Sequence, residues 1–415
     1  MILNKTTKQN TTIYFFSIMN WHRKSHSIPG FNYNSYSNLA HRHVEKHERL
    51  TLPNNQKNEG EHGKIRLLIS KIENAHVLDS SGSYNIITDI FRHEDSSSTL
   101  QNDVTLVSQT SSNNLDDVIA LSERWDGAIS ISVFTHFTDF QFTMDKLLHL
   151  HVCFPKIQNR VHFHLVYPLN NDIPLDKLKQ NFVNSNCEIS MKTFHNQNYE
   201  IEGIEYPHNL LRNTAVKFCK TSYVFLIDID MLPNKYLRKE FNMFVQSFKN
   251  DSVVFVVPSF ESKDDAAIPI DRTQLLRNWR LKKIRPFYFD VCRKCQRPTD
   301  YDQWQYLPDP SHLNVAYFVQ RDDAYEPFYI AKKDFPLYDE RFKQYGYNRI
   351  SQVCEMNIAG YNFGVLNNAF LIHKGFKYRD SFHKNKEIEN NRNRDLFQQF
   401  KRELRTKYPN SKRSC

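Results

Sequence analysis

From residue 62 onward, short apolar runs of strand length recur, at 104–107, Ile129–Phe134, 161–166, 223–227 and Val253–Val257. Several are separated by stretches with helical spacing, at 114–124, 145–152 and 209–220. Unbroken apolar runs, unlike alternating ones, belong to strands buried on both faces. The pattern therefore predicts an α/β fold, a mostly parallel sheet with helices on either side. Leu396, Phe397, Phe400 and Leu404 keep helical spacing, which predicts a closing amphipathic helix over 396–408. There is no internal repeat. Residues 1–61 are rich in Asn, His, Ser and Lys without a sustained period, and are predicted to form a disordered tail or stalk ahead of one domain, 62–415. Its only apolar run, 13–19, is broken by Ser17 and is too short to span a bilayer. With only Lys5 and Lys8 upstream, it makes at best a degenerate signal segment.

Composition narrows the class. The chain has 415 residues, 40% of them hydrophobic and 24% charged, which excludes wholesale disorder. Its 31 Phe and 21 Tyr stand against 10 Gly, excluding collagen-like and Gly-linker architectures. No stretch approaches the roughly 20 apolar residues of a membrane span, so a multi-span protein is excluded. Seven cysteines are too few for a disulfide scaffold, and the odd number leaves at least one outside any intrachain bridge. Of the net charge of +9, about +8 falls between residues 374 and 415, where 13 Lys and Arg face 5 Asp and Glu. That excess reads either as a field for an anionic ligand or as the solvated face of a terminal helix. No zinc-finger spacing, RNP-like signature or basic-zipper heptad is present, so nucleic acid is not an expected partner.

The chemistry concentrates after the fourth run. Asp228-Ile-Asp230 follows a buried strand directly, where ligands bind in parallel sheets, outside the carboxyl ends of the strands. Side chains alternate along a strand, so the two carboxylates point the same way and can share one hard cation, with a diphosphate completing the shell. The alternative is two acids capping a turn. Asn209, Arg212 and Asn213 share a helix face just upstream.

Around this core stand Tyr206-Pro-His-Asn-Leu-Leu-Arg-Asn213, Val256-Val-Pro-Ser-Phe260, Arg285-Pro-Phe-Tyr288, Glu326-Pro-Phe-Tyr329, the segment 338–352 and His373-Lys-Gly-Phe-Lys377. In this order they resemble the beta-1,4-glucuronyltransferase 1 family. These are GT-A type glycosyltransferases related to the second transferase domain of the LARGE xylosyl- and glucuronyltransferases. The resemblance covers about 65–415. It implies a GT-A fold and inverting transfer of glucuronic acid from UDP-glucuronate to a xylose-terminated O-mannosyl glycan, with Mn2+ or another divalent cation as cofactor. It implies Asp228, Asp230 and His373 as metal ligands. Asn209, Arg212, Asn213, Lys374 and Lys377 are placed beside the nucleotide and diphosphate, Arg285 beside the donor sugar, and the strand at 104–107 with 108–110 beside uracil and ribose. It further implies a glycoprotein acceptor, a LARGE-type transferase as partner, and the Golgi lumen, reached through an N-terminal membrane anchor that is not evident in these residues.

Inversion needs a general base, normally a carboxylate. Related transferases carry Glu-Asp after a Gly-rich turn; here Gly346-Tyr-Asn-Arg349 fills that place. Glu355, Asp339 and Glu340 are the candidates, Glu355 favoured because a helix starting near Asn348 brings it toward the cleft. Each also has a structural reading, as turn-fixing or ion-paired acids. Cys292-Arg-Lys-Cys295 lacks the second pair a zinc site needs, so a disulfide is expected, within the pair or to Cys354. Asn4, Asn10 and Asn250 begin glycosylation sequons. Two other classes share parts of this pattern. A haloacid-dehalogenase-type phosphatase wants Thr or Val where Leu232 stands, and an inactive glycan-binding relative would explain the missing Glu-Asp.

Overall fold

In the computed structural model, residues 76–91, 100–169, 203–308, 311–378 and 385–415 are described, with isolated positions before and between them. The expected tail and the sequons at Asn4 and Asn10 lie outside the described residues. The strands are β1 (His76–Leu78), β2 (Tyr84–Ile87), β3 (Leu100–Ser111), β4 (Ile129–Phe134), β5 (Val161–Pro168), β6 (Thr221–Leu226), β7 (Met231–Pro233), β8 (Val253–Val257), β9 (Ser259–Ser262), β10 (Ile284–Pro286), β11 (Val315–Val319), β12 (Phe328–Lys332), β13 (Asn362–Leu366) and β14 (Leu371–Lys374). The helices used below are α1 (Asp117–Arg124), α2 (Phe140–Cys153), α3 (His208–Lys217), α4 (Leu237–Val245), α5 (Arg272–Arg280), α6 (Asn348–Ile358) and α7 (Lys386–Lys407).

Ten strands make the central sheet, in the order β1-β2-β5-β4-β3-β6-β12-β8-β13-β11. All five apolar runs lie in it. Its middle is parallel: β3 pairs with β4 from Leu106↔Ile129 to Ser111↔Phe134, and with β6 from Val104↔Tyr223 to Val107↔Leu226. β12 is inserted antiparallel between β6 and β8, while β2 and β11 also run against the majority near the edges. The expected fold class holds, with those three strands reversed. β4, β6 and β8 bury nearly every residue, as unbroken apolar runs should.

A second sheet, β10-β9-β14-β7, sits where the chain leaves β6 and turns. Its register sets His373 opposite Met231 on one side and Glu261 on the other. The Phe surplus fills the space between sheet and helices; Phe241 and Phe248 meet Phe255 at 5.4 and 5.1 Å in edge-on geometry. No helix among the described residues is long and apolar enough to cross a membrane.

α7 is the expected closing helix, begun earlier than its apolar spacing shows. It buries Phe397, Phe400 and Leu404 and exposes Arg402 and Arg405, so part of the basic tail is a solvated face. The segment after the helix is fastened to α6 by the Cys354–Cys415 disulfide. Of the two pairings expected for Cys292 and Cys295, the bridge within the pair is the one formed; Cys153 pairs with Cys187, and buried Cys219 is the free thiol. Cys354–Cys415 closes a loop spanning 61 residues, for which chain entropy gives up to about 4 kcal/mol. Cys415→Ser should therefore lower stability by roughly 2–4 kcal/mol in denaturant unfolding under non-reducing conditions. An unchanged midpoint would show that this bridge does not hold the C-terminus.

Candidate active site

β6 ends at Leu226, and the chain does not continue as a strand. Ile227 N–H donates to Val107 O at 3.0 Å, Ser108 Oγ donates to Ile227 O at 3.0 Å, and Met231 N–H donates back to Asp228 O at 3.0 Å. That last bond closes a turn through Asp228-Ile229-Asp230-Met231. The turn sends the two carboxylates to different cations, which corrects the expectation of a shared direction. Among the described residues, no three His, Cys, Asp or Glu side chains are grouped closely enough to hold a metal between them.

Asp230 meets the second sheet. Its Oδ2 lies 3.1 Å from His373 Nε2 and 3.5 Å from Lys377 Nζ. Burial would raise the Asp230 carboxyl, but Lys377 and then His373 outweigh it and hold it well below the usual carboxylate range. His373 Nδ1 donates to Gly375 O at 2.8 Å, leaving Nε2 for a ligand. Gly375 makes this possible: at φ +91 it turns its carbonyl back onto the ring, a conformation L side chains rarely adopt. Lys377 is buried on the Phe287 ring, 5.3 Å from its centroid, and its N–H donates to Glu261 Oε2 at 2.8 Å.

Asp228 faces α6 and α3. Its Oδ1 accepts from Arg349, and Arg212 Nη2 stands 3.7 Å away. Both arginines are buried, Arg212 over Tyr338 and Arg349 over Phe328. The turn before Arg349 is held from α7, where Asn393 Nδ2 donates to the carbonyls of Lys343, Tyr345 and Gly346. Asp228 Oδ2 and Asp230 Oδ1 are buried without a hydrogen bond. The free oxygen of Asp230 and the imidazole of His373 are donors of the kind a divalent cation takes, while Asp228 is committed to the arginines.

The other expected site residues fall as follows. Asn209 donates to Asp339 O at 2.8 Å, and Asn213 brackets Tyr338 from both its N–H and its carbonyl. The shared α3 face exists, and these two asparagines spend it on the 338–340 segment. Arg285 gives Nε to Glu261 at 2.7 Å, one Nη to Asp290 at 2.6 Å and the other to Lys377 O at 3.2 Å, and lies over Phe376. Its fork is taken up in supporting Lys377. Lys374 is exposed at the end of β14. Glu355 accepts from Lys407 and Tyr408 at 2.7 and 3.0 Å, on the side of α6 that meets the C-terminus rather than Asp228. Asp339 is paired with Arg341, and Glu340 accepts from Asn213 and Ser80.

Two acids that sequence reasoning missed stand closer. Glu326, just before β12, is buried with Oε2 unbonded; burial pushes its carboxyl up to about 8 against the pull of Arg349 and Arg212. Asp117 opens α1, which packs along β7 with Arg124 Nε donating to Pro233 O at 2.8 Å. Asp117 is raised to about 7, first by burial and then by the charge of Asp230. Glu326 stood inside a quoted motif, yet nothing in an isolated acid marks it as buried.

Residues 103–409 match the family described as glycosyl-transferase for dystroglycan. The chain is 38% identical over 351 residues to beta-1,4-glucuronyltransferase 1 of Homo sapiens, covering 82% of this chain and 83% of that one. It is 29% identical over 276 residues to the xylosyl- and glucuronyltransferase LARGE1 of Homo sapiens, covering 65% of this chain and 31% of that protein. Among solved structures it is similar to residues 1–349 of S. aureus TarS in complex with UDP-GlcNAc, with a TM-score of 0.35 at 9% identity over 75% of this chain and 68% of that chain. That likeness is too slight to argue from.

Glu326 gives this site a signature in stability. The unfolded acid ionises near 4.5 while the native one keeps its proton to about 8, so stability should fall as pH rises through that window. The slope contributed is at most about 1.4 kcal/mol per pH unit. Glu326→Gln, which keeps the shape of the neutral acid, should flatten the dependence measured by urea unfolding at pH 5–8. An identical slope in the mutant would mean that Glu326 is ionised in the native state.

Proposed function

Since the chain belongs to the family of glycosyl-transferases for dystroglycan, it is a glycosyltransferase, and we propose that it moves glucuronic acid from UDP-glucuronate to a xylose-terminated O-mannosyl glycan in a beta-1,4 linkage. The observation that carries the reading is the meeting of Asp230, His373 and Lys377 at the end of β6. An α-linked sugar nucleotide giving a β product requires inversion: one displacement, a base on the acceptor hydroxyl, and stabilisation of the departing diphosphate.

Asp230 and His373 would hold the Mn2+ or similar cation. When bound, that ion supplies Lewis-acid charge for the leaving diphosphate. Lys377 adds a fixed ammonium beside Asp230, backed by aromatic rings and aimed by Arg285 and Glu261, so it needs no reorganisation during reaction. The acceptor proton goes to Asp117. It is partly exposed and poised near neutrality, where a base combines availability with driving force, whereas Glu355, Asp339 and Glu340 are committed to other partners. Three disulfides and the exposed sequon at Asn250 support an oxidising, glycosylating lumen; the proposal puts it in the Golgi, attached through an N-terminal anchor, with a LARGE-type transferase extending the product.

Asp230→Asn should abolish manganese-stimulated transfer from UDP-glucuronate to a β-xyloside while thermal unfolding stays close to wild type. Full activity would remove this carboxylate from the mechanism. Asp117→Asn should lower kcat by about 10²–10⁴ and erase the acidic limb of the pH–rate profile, as loss of a general base does. A retained limb would place the base elsewhere.

A further inference from the structure

The basic excess near the C-terminus is gathered as well as exposed. Gln398, Lys401, Arg402 and Arg405 recur at helical spacing along one face of α7, beside the face that buries Phe397, Phe400 and Leu404. Lys401, Arg402 and Arg405 line a cavity of about 350 Å³, and Arg413 enters it from the segment after the helix. That volume is of the size that small-ligand pockets have. Among the described residues, no Asp or Glu stands in its wall. The nearby acids are taken, Glu403 by Arg341 and Glu355 by Lys407. Even against the terminal carboxylate of Cys415, the wall keeps a surplus of about three positive charges.

Gathering like charges is unfavourable. Lys401 and Arg405 stand at i, i+4 and Arg402 and Arg405 at i, i+3, spacings at which equal charges repel. The opposite wall is nonetheless fixed. Ser411 Oγ donates to Ile358 O at 2.7 Å, Asn357 Nδ2 donates to Ser414 O at 3.0 Å, and the Cys354–Cys415 bridge closes the segment. Arg413 donates to Tyr361 O at 2.6 Å and to Asn362 Oδ1 at 2.8 Å, which sets its position without neutralising it. Cations held in place around a void are preorganised for an anion. Tyr408 and Pro409 add flat apolar surface to the wall, and the Tyr408 ring is fixed by its hydroxyl, which donates to Glu355 at 3.0 Å. Arginine forks match carboxylates, and an aromatic plane suits the C–H face of a sugar ring.

We propose that this cavity is a second glycan site, separate from the transfer site, which takes a carboxylate-bearing oligosaccharide. Ile358, in its wall, ends α6 nine residues after Arg349, so the cavity lies about 14 Å along that helix from the donor end. Binding there keeps a glycan that already carries glucuronate beside the cleft, at the effective concentration of a tethered ligand. The ligand class rests on the transferase reading; the cavity and its charge do not.

The test titrates the full chain calorimetrically, at low salt and without UDP or manganese. The probe is a hexasaccharide of alternating glucuronate and N-acetylglucosamine, with maltohexaose as the neutral control. Wild type should bind the acidic chain at least about 10-fold more tightly than the neutral one, and less tightly as salt rises. The double variant Arg402→Gln/Arg405→Gln, at exposed positions and with a good helix former, should bind the acidic chain at least about 10-fold more weakly. Its thermal midpoint should hold or rise as repulsion is relieved, and its transfer to a small β-xyloside should stay within roughly 2-fold of wild type. Unchanged binding in the variant, no preference in wild type, or displacement of the hexasaccharide by inorganic phosphate at equal concentration would overturn the inference. A lowered midpoint in step with lost binding would make the arginines structural and overturn it too. A wild type that binds the acidic chain but transfers nothing to the xyloside would leave the cavity's role standing and sink the transferase reading instead.

Discussion

The ion pair between Asp228 and Arg349 is the constraint on which the rest of the site depends. A carboxylate buried at the end of the central strand requires a cation, and that cation comes from the first turn of α6. α6 must therefore be held in place with accuracy. It is held from the far end of the chain: Asn393 of α7 ties down the turn before Arg349, and Cys354–Cys415 fastens α6 to the segment after α7. Gly346 belongs to the same arrangement. At φ +97 it lets Asn390 of α7 pass where a Cβ would meet Asn390 Oδ1 at 2.7 Å. The basic C-terminal region is thus a structural brace of the cleft as well as a solvated surface.

The second half of the site obeys a different constraint, the register of the small sheet. Pairing His373 with Met231 and with Glu261 brings Asp230, His373 and Lys377 into one group without any of them being adjacent in sequence. Glu261 is fully buried and raised by its burial, and is held by Arg285 and the Lys377 N–H. Charges alternate across this group, so each side chain is positioned by the next, and Asp230 Oδ1 is left without a hydrogen bond.

Much of this was legible in the sequence, and the exceptions have physical reasons. Strands buried on both faces announce themselves as apolar runs, and Ile129–Phe134 and Val253–Val257 were readable to the residue. β11 is half exposed, and β10 and β14 are short, so neither period nor length marks them. The reversed direction of β12 leaves no trace, because periodicity reports burial and not strand polarity. Asp228 and Asp230 were recognisable as functional, but the alternation argument failed once Met231 N–H turned back to Asp228 O. Glu355 was misplaced by a rotation: six residues after Arg349 is about 600° around a helix, which leaves the two about 120° apart. Arg285 was legible as an important arginine, while its partners Glu261 and Asp290 could be found only in three dimensions.

The central claim is that this strand end is a donor site built around Asp230 and His373, with Asp228 withdrawn to the arginines. The most direct measurement is anomalous scattering at the manganese edge from crystals grown with manganese and UDP. The account predicts one peak within about 2.0–2.3 Å of His373 Nε2 and of an Asp230 oxygen, the range of first-row metal–ligand bonds. Arg349 should remain on Asp228. A peak coordinated elsewhere, or no peak while Asp230 stays paired with His373, would contradict it.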